Sequence, residues 1–222
     1  EVGPDYGNVI INNNCDEPFY VWSVGSWYLG GDPLNNNNIT STPEDQVMKA
    51  IQAGETYIEP YRTTCVKTGN ITYCADEDKL AGQGISVKIS RTVDQKNPTQ
   101  LEYALKKSNE LNQSDPTAFY RLWFDISMLD CASPPSQDTA FTDDNASQDE
   151  HQLKVDTCPG YQGGVGLTWD NDQKGCQPLF DDGTFRNYFN QLYMWDRTHP
   201  GAYEASLGCA SEYKGNMTFD LC

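Results

Sequence analysis

The sequence predicts a secreted, disulfide-bonded protein built mainly of β-strands. Three observations predict it. Short segments rich in β-branched and aromatic residues alternate apolar with polar along much of the chain. Eight cysteines run from Cys15 to Cys222 with no CxxC pair and only two histidines, a pattern that suits disulfides better than zinc ligation. Five Asn-x-Ser/Thr acceptors, Asn38, Asn70, Asn112, Asn145 and Asn216, add the mark of a glycosylating, oxidising pathway. Of the 222 residues 37% are hydrophobic and 12% aromatic, which is enough to bury a core. The chain opens at Glu1 without a basic-then-apolar leader, and the cysteines favour a mature, processed form.

Residues 8–15 read as a strand ending in a polar turn. Residues 18–25 read as a second strand, close enough to the first to form a hairpin. Residues 30–38 are a loop ending in a solvated asparagine run. Thr42 followed by Pro43 has the look of a helix start, which opens a short helix to Gln52 or a loop leading to Gly54. Residues 55–62 are a strand leading to Cys65, and Cys65 and Cys74 enclose a turn-rich tip. Residues 84–90 alternate cleanly as a strand. Residues 101–110 are ambiguous: propensity favours a helix, and a strand over 101–105 is the alternative.

The stretch 117–131 is the longest run dense in aromatic and β-favouring residues. Alternation puts Leu122, Phe124, Ile126 and Met128 on one face and Trp123, Asp125, Ser127 and Leu129 on the other. An acid inside such a strand must be solvated or paired. It therefore marks either an ordinary solvent face or, with Asp130, a hydrated acidic groove. Residues 132–150, rich in Pro, Ser, Asp and Gln, read as a surface loop. Residues 158–176 enclose a glycine-rich loop anchored by Trp169. Phe185, Tyr188, Phe189, Leu192 and Trp195 recur at helical spacing, which predicts a helix over 184–195. Residues 215–222 form a closing strand.

The net charge of −17 argues against nucleic acid and anionic membrane surfaces as partners, and no apolar run approaches membrane-spanning length. A neutral polysaccharide is compatible with that charge. No phosphate loop, nucleophile elbow or spaced calcium loop is present in the sequence, so neither a cofactor nor a metal is expected.

Several stretches, in order, resemble the thaumatin-like family. They are 8–22 (its opening strand with Asn-Cys and Val-Trp), 61–65 (Arg-Thr-x-Cys), 99–105, 124–130 (close to Tyr-Asp-Val-Ser-Leu-Val-Asp), 185–189 with 199–203, and the closing 217–222. The first half, through Val21-Trp-Ser-Val-Gly25 and Gly84-Ile-Ser-Val-Lys-Ile89, is also similar to a smaller secreted fungal group related to thaumatins. The chain departs from the family pattern. It has fewer cysteines, Cys131 replaces the Gly-Phe-Asn after the second family aspartate, and His199 stands where the family has cysteine.

The resemblance implies an all-β fold: a flattened antiparallel β-sandwich with a disulfide-containing loop and helix lobe. The sandwich core would occupy 1–130 with a small tip at 63–84, the lobe 131–208, and the closing strand 209–222. It turns 101–105 towards strand. It implies an acidic cleft holding Arg62, Glu102, Asp125 and Asp130, with Glu204 the nearest acid to a missing family aspartate. It also implies the pairs Cys15–Cys222 and Cys65–Cys74, and for the remaining four cysteines Cys158–Cys176 and Cys131–Cys209 are preferred.

Two carboxyls facing one groove suit glycoside hydrolysis, with Glu102 as acid and Asp125 as base or nucleophile. Asp130 would tune both, Arg62 would keep the second group ionised, and Trp123 would stack on sugar, with Trp22 and Trp27 as further aromatics. An arginine among carboxylates is equally a structural ion-pair network. The family mixes weak β-1,3-glucan hydrolysis with plain glucan binding, antifungal action and sweet taste. The implied protein is thus a secreted monomer that binds β-1,3-glucan, with or without hydrolysis. The alternative is a non-catalytic protein-interaction or host-interaction protein.

Overall fold

A computed structural model describes residues 6–24, 48–61, 66–68, 71–73, 84–107, 120–131, 148–170, 176, 178–181, 192–193 and 207–222. In chain order the elements are β1 (Asn8–Asn13), β2 (Phe19–Val24), β3 (Lys49–Ile51), β4 (Thr56–Pro60), β5 (Val66–Thr68), β6 (Ile71–Tyr73) and β7 (Ile85–Ser90). There follow β8 (Thr99–Lys107), β9 (Tyr120–Ser127), α1 (Gln148–Thr157), β10 (Val165–Trp169), β11 (Leu179–Asp181), β12 (Leu192–Tyr193), β13 (Leu207–Gly208) and β14 (Met217–Leu221).

The architecture is an all-β sandwich. One sheet has five strands in the order β11-β10-β14-β1-β4. The other has seven, in the order β12-β9-β8-β7-β2-β3, with β13 also on β9. Most pairs are antiparallel, but β1 runs parallel to β14 and β12 parallel to β9. Period-two alternation builds the sandwich: Val9 and Ile11 of β1, Leu167 of β10 and Phe219 of β14 point inward from one sheet. Val87, Leu101, Phe124 and Ile126 point inward from the other, and the two sets form one apolar cluster. Each such side chain, fully removed from water, stabilises the fold by about 1.5–3 kcal/mol. The Phe124 and Trp169 rings meet across the sheets at 4.8 Å.

The first two strands do not form the expected hairpin, because β1 and β2 belong to different sheets. Asn13 explains the crossover. Its buried amide donates to the carbonyls of Glu17, Ile51 and Gln52, and its Oδ1 accepts from the Cys15 amide. The chain therefore turns out of the first sheet around one side chain instead of folding back on itself. Asn13→Ala removes these bonds and leaves the buried Cys15 N–H without its acceptor, and is expected to lose about 2 kcal/mol in urea unfolding.

Three other readings change. Residues 49–51 are strand β3, where a helix or loop over 42–52 was expected. Residues 148–150, expected in a loop, open α1. Residues 192–193, expected in a helix, pair with β9; the remainder of 184–195 lies outside the described residues. Residues 101–105 lie in β8, a strand between β7 and β9, against their helical propensity. Within 131–208, β10 and β11 belong to the five-stranded sheet and β12 and β13 to the other.

The structure joins Cys15 to Cys222. It corrects the other preferred pairs: Cys131 bonds Cys158, and Cys176 bonds Cys209. Cys131 lies in the turn after β9 and Cys158 directly follows α1, so the bond fastens the end of the helix to the end of that strand. Cys65 and Cys74 lie outside the described residues. Three disulfides fit a chain that folds in an oxidising, extracellular environment. No helix of the described residues is long and apolar enough to cross a membrane.

Candidate functional site

In β7, β8 and β9, Ile85, Val87 and Ile89, then Leu101, Tyr103 and Leu105, then Leu122, Phe124 and Ile126 fill the core. The residues between them must occupy the opposite face of the sheet. Register then sets two rows across that face. Val24, Ser86, Glu102 and Asp125 stand in one, and Trp22, Lys88, Gln100 and Ser127 in the next.

Glu102 and Asp125 are direct cross-strand partners, and their carboxyls are hydrogen-bonded to each other. Burial pushes the Glu102 carboxyl above the usual carboxylate range, and the charge of Asp130 adds to that push. The bond to Asp125, the Lys88 ammonium and the bond to Ser86 act against it.

Beside this pair lies an ordered polar network. The Gln100 Oε1 accepts from Ser86 Oγ at 3.0 Å and from Lys88 Nζ, and the Gln100 amide donates to Asp130 Oδ2 at 3.1 Å. Lys88 Nζ lies 3.8 Å from the same Asp130 oxygen. Lys88, Asp130 and Trp22, with Val24, Gln95, Asn97 and Pro98, line an open cleft of about 530 Å³. Gln95 and Asn97 both hold left-handed backbone, at φ 62° and 50°. Glutamine rarely adopts that conformation, and strain of this kind concentrates at working sites.

Of the expected cleft residues, Glu102 and Asp125 face each other across β8 and β9 and Asp130 acts on Glu102 through its charge, but only Asp130 lines the cleft itself. Arg62 and Glu204 lie outside the described residues. Trp123 lies on the Asp125 side of β9, but protein groups engage its ring. The Arg121 guanidinium sits 4.2 Å from its centroid. On β13, a Cβ at Gly208 would fall 2.7 Å from its Cε3. Trp22 is 3% exposed and offers the cleft little more than an edge. Trp27 lies outside the described residues.

Sequence reasoning missed Lys88, Ser86, Gln100, Gln95 and Asn97. The alternation of 84–90 did put Ser86 and Lys88 on one face, but strand order, which decides what they meet, is not written in the alternation. Of the five glycosylation acceptors only Asn216 is described, and its Oδ1 accepts from the backbone and side-chain nitrogens of Asn8 at 2.9 and 3.0 Å. Among the described residues, no group of three or more His, Cys, Asp or Glu side chains could hold a metal ion.

No protein-family model matches the chain, and no curated protein matches it either. Among solved structures it is similar to the crystal structure of the protein elicitor MoHrip2 from Magnaporthe oryzae. The two are 16% identical over 97% of this chain and 98% of that one, with a TM-score of 0.45. A likeness at this level carries no argument about what this chain does.

Proposed function

We propose that the outer face of the seven-stranded sheet binds a neutral polysaccharide of the β-1,3-glucan type, in a secreted, monomeric, thaumatin-like protein, and that binding does not require turnover. The observation that carries this is the Lys88–Gln100–Asp130 network, whose Lys88 and Asp130 line an open cleft with the Glu102–Asp125 pair in the neighbouring row of the sheet. Fixed donors and acceptors of both signs suit sugar hydroxyls, which donate and accept at once. The choice of glucan follows from the sequence resemblance alone. Binding is favoured over hydrolysis because glycosidase carboxyls stand at least about 5 Å apart, with the glycosidic oxygen or a water between them. Direct cross-strand partners on β8 and β9 stand closer than that arrangement uses.

Hydrolysis is kept as a second reading for one reason: burial keeps Glu102 protonated further up the pH scale, as a general acid requires. The test is co-sedimentation with insoluble β-1,3-glucan, together with reducing-sugar release. Wild type is expected in the pellet, Glu102→Gln with it, and the double variant Lys88→Ala/Asp130→Ala about tenfold weaker, the loss of two modest hydrogen bonds. Sugar release by wild type that Glu102→Gln abolishes would establish the hydrolase. Wild type left in the supernatant and releasing nothing would sink both readings in favour of a protein partner.

A further inference from the structure

The five-stranded sheet carries an outward row of its own on the other side of the molecule. Register aligns Thr56, Asn12, Asp220, Gly166 and Phe180 across β4, β1, β14, β10 and β11. Phe180 is 65% exposed, which is unusual for a ring of that size. Its position is set by Gly166: a Cβ there would lie 3.3 Å from Phe180 Cδ1, so the ring rests against bare backbone. One side of the ring is thereby used to cover the glycine, and the rest is presented to solvent. Next in the row, Thr56 Oγ1 donates to Asn12 Oδ1 at 2.9 Å, and Asn12 Nδ2 donates to Asp220 Oδ1 at 2.8 Å. This relay fixes the Asp220 carboxylate and leaves its Oδ2 without a hydrogen-bond partner among the described residues. Asn14, Gly163, Gly164 and Val165 complete a shallow notch of about 480 Å³ around these groups.

We infer that this notch is a second saccharide site, taking one or two neutral pyranose units. The ring supplies the flat apolar face on which sugar C–H groups stack, and the held carboxylate accepts from adjacent hydroxyls. Two glycines and a side-chain-free strand position give the room a pyranose needs. No lysine or arginine lines the notch, and the chain carries a net charge of −17, so sulfated and uronic saccharides are disfavoured. The site shares no residue with the cleft on the seven-stranded sheet, and only the choice of a β-1,3-linked sugar rests on the reading given for that cleft.

The test is an NMR titration of the ¹⁵N-labelled full chain with laminarihexaose, read separately at the two faces. The amides of Gly164, Gly166 and Asp220 are expected to shift saturably. Phe180→Ala removes those shifts, leaves any at Glu102 and Asp125, and melts with wild type because the ring is exposed. Phe180→Trp retains or tightens binding, and Asp220→Asn weakens it about fivefold, as loss of a charge-assisted hydrogen bond should. Saturating sugar that leaves Gly166 and Asp220 unmoved overturns the inference, whether or not Glu102 and Asp125 respond. Shifts at Gly166 that survive Phe180→Ala overturn it too. A concentration-dependent dimer that Phe180→Ala abolishes, without sugar shifts, replaces it by self-association.

Discussion

Replacing Cys15 and Cys222 together by alanine is expected to lower stability by about 4 kcal/mol, the largest effect of any single cross-link described here. The bond closes a loop with a sequence separation of 207, against 27 for Cys131–Cys158 and 33 for Cys176–Cys209. In the chain-entropy account a loop of that length restricts the unfolded chain by about 5 kcal/mol, and the other cross-links reduce this somewhat. The native state needs little from the bond in return, because β1 and β14 already pair in parallel over five residues from Val9 and Met217 to Asn13 and Leu221. Backbone hydrogen bonds from Asn14 to Leu221 and from Cys222 to Gly160 continue the contact to the bond itself. The melting temperature should fall by about 10 °C, given roughly 2–4 °C per kcal/mol for a chain of this size. Amides of β14 should exchange faster than those of β7 to β9. A fall of less than about 3 °C would show that the sheet, not the cross-link, sets the adjacency of the two ends.

What the sequence made legible follows from which forces are local. Alternation in 84–90 and 119–131 survives into β7 and β9 because one side of each strand is core and the other is not, and Glu102 meets Asp125 because 101–105 is strand, as the resemblance implied, and pairs with β9. Propensity alone would have lost that pair: Leu, Glu, Ala and Lys favour helix, and only pairing on both edges with β7 and β9 holds β8 extended. Helix α1 was invisible for the opposite reason. Its residues, Gln148 to Thr157, present no apolar stripe, and tertiary ties fix it instead. The Cys131–Cys158 bond holds its end, Gln162 Nε2 donates to the carbonyls of Val155 and Cys158, and Arg91 donates to that of Thr157. The two late disulfides were misassigned because connectivity among four cysteines is a property of the folded chain, not of their spacing. The Lys88–Asp130 contact joins residues on separate elements, so no local pattern could signal it.

Lys154→Met is expected to stabilise the protein by about 3 kcal/mol at pH 7 and to remove most of its gain in stability between pH 8 and 10. Lys154 is 1% exposed, and its Nζ donates to the Met128 carbonyl at 2.6 Å. Burial lowers its pKa from 10.5 to about 8, only partly opposed by the negative charge of Asp130. Below pH 8 the ammonium is charged in both folded and unfolded chains, and the desolvation penalty is carried in full. Between about 8 and 10.5 the unfolded chain binds the extra proton, so stability rises with pH by about 3 kcal/mol. Methionine matches the length of the side chain and carries no charge, and replacing a buried ion by an apolar group of similar shape is often stabilising. At higher pH the buried tyrosines reverse the slope: burial pushes Tyr213 up to about 12 and Tyr61 well above its ordinary value, so both hold their protons in the fold after the unfolded chain has lost them. Wild type should therefore be most stable near pH 10 in this alkaline limb, and Lys154→Met should show only the descent. Urea unfolding of both proteins from pH 7 to 11 checks it. A variant less stable than wild type at pH 7 would mean that the Met128 carbonyl and the field of Asp130 return more than burying the ammonium takes away.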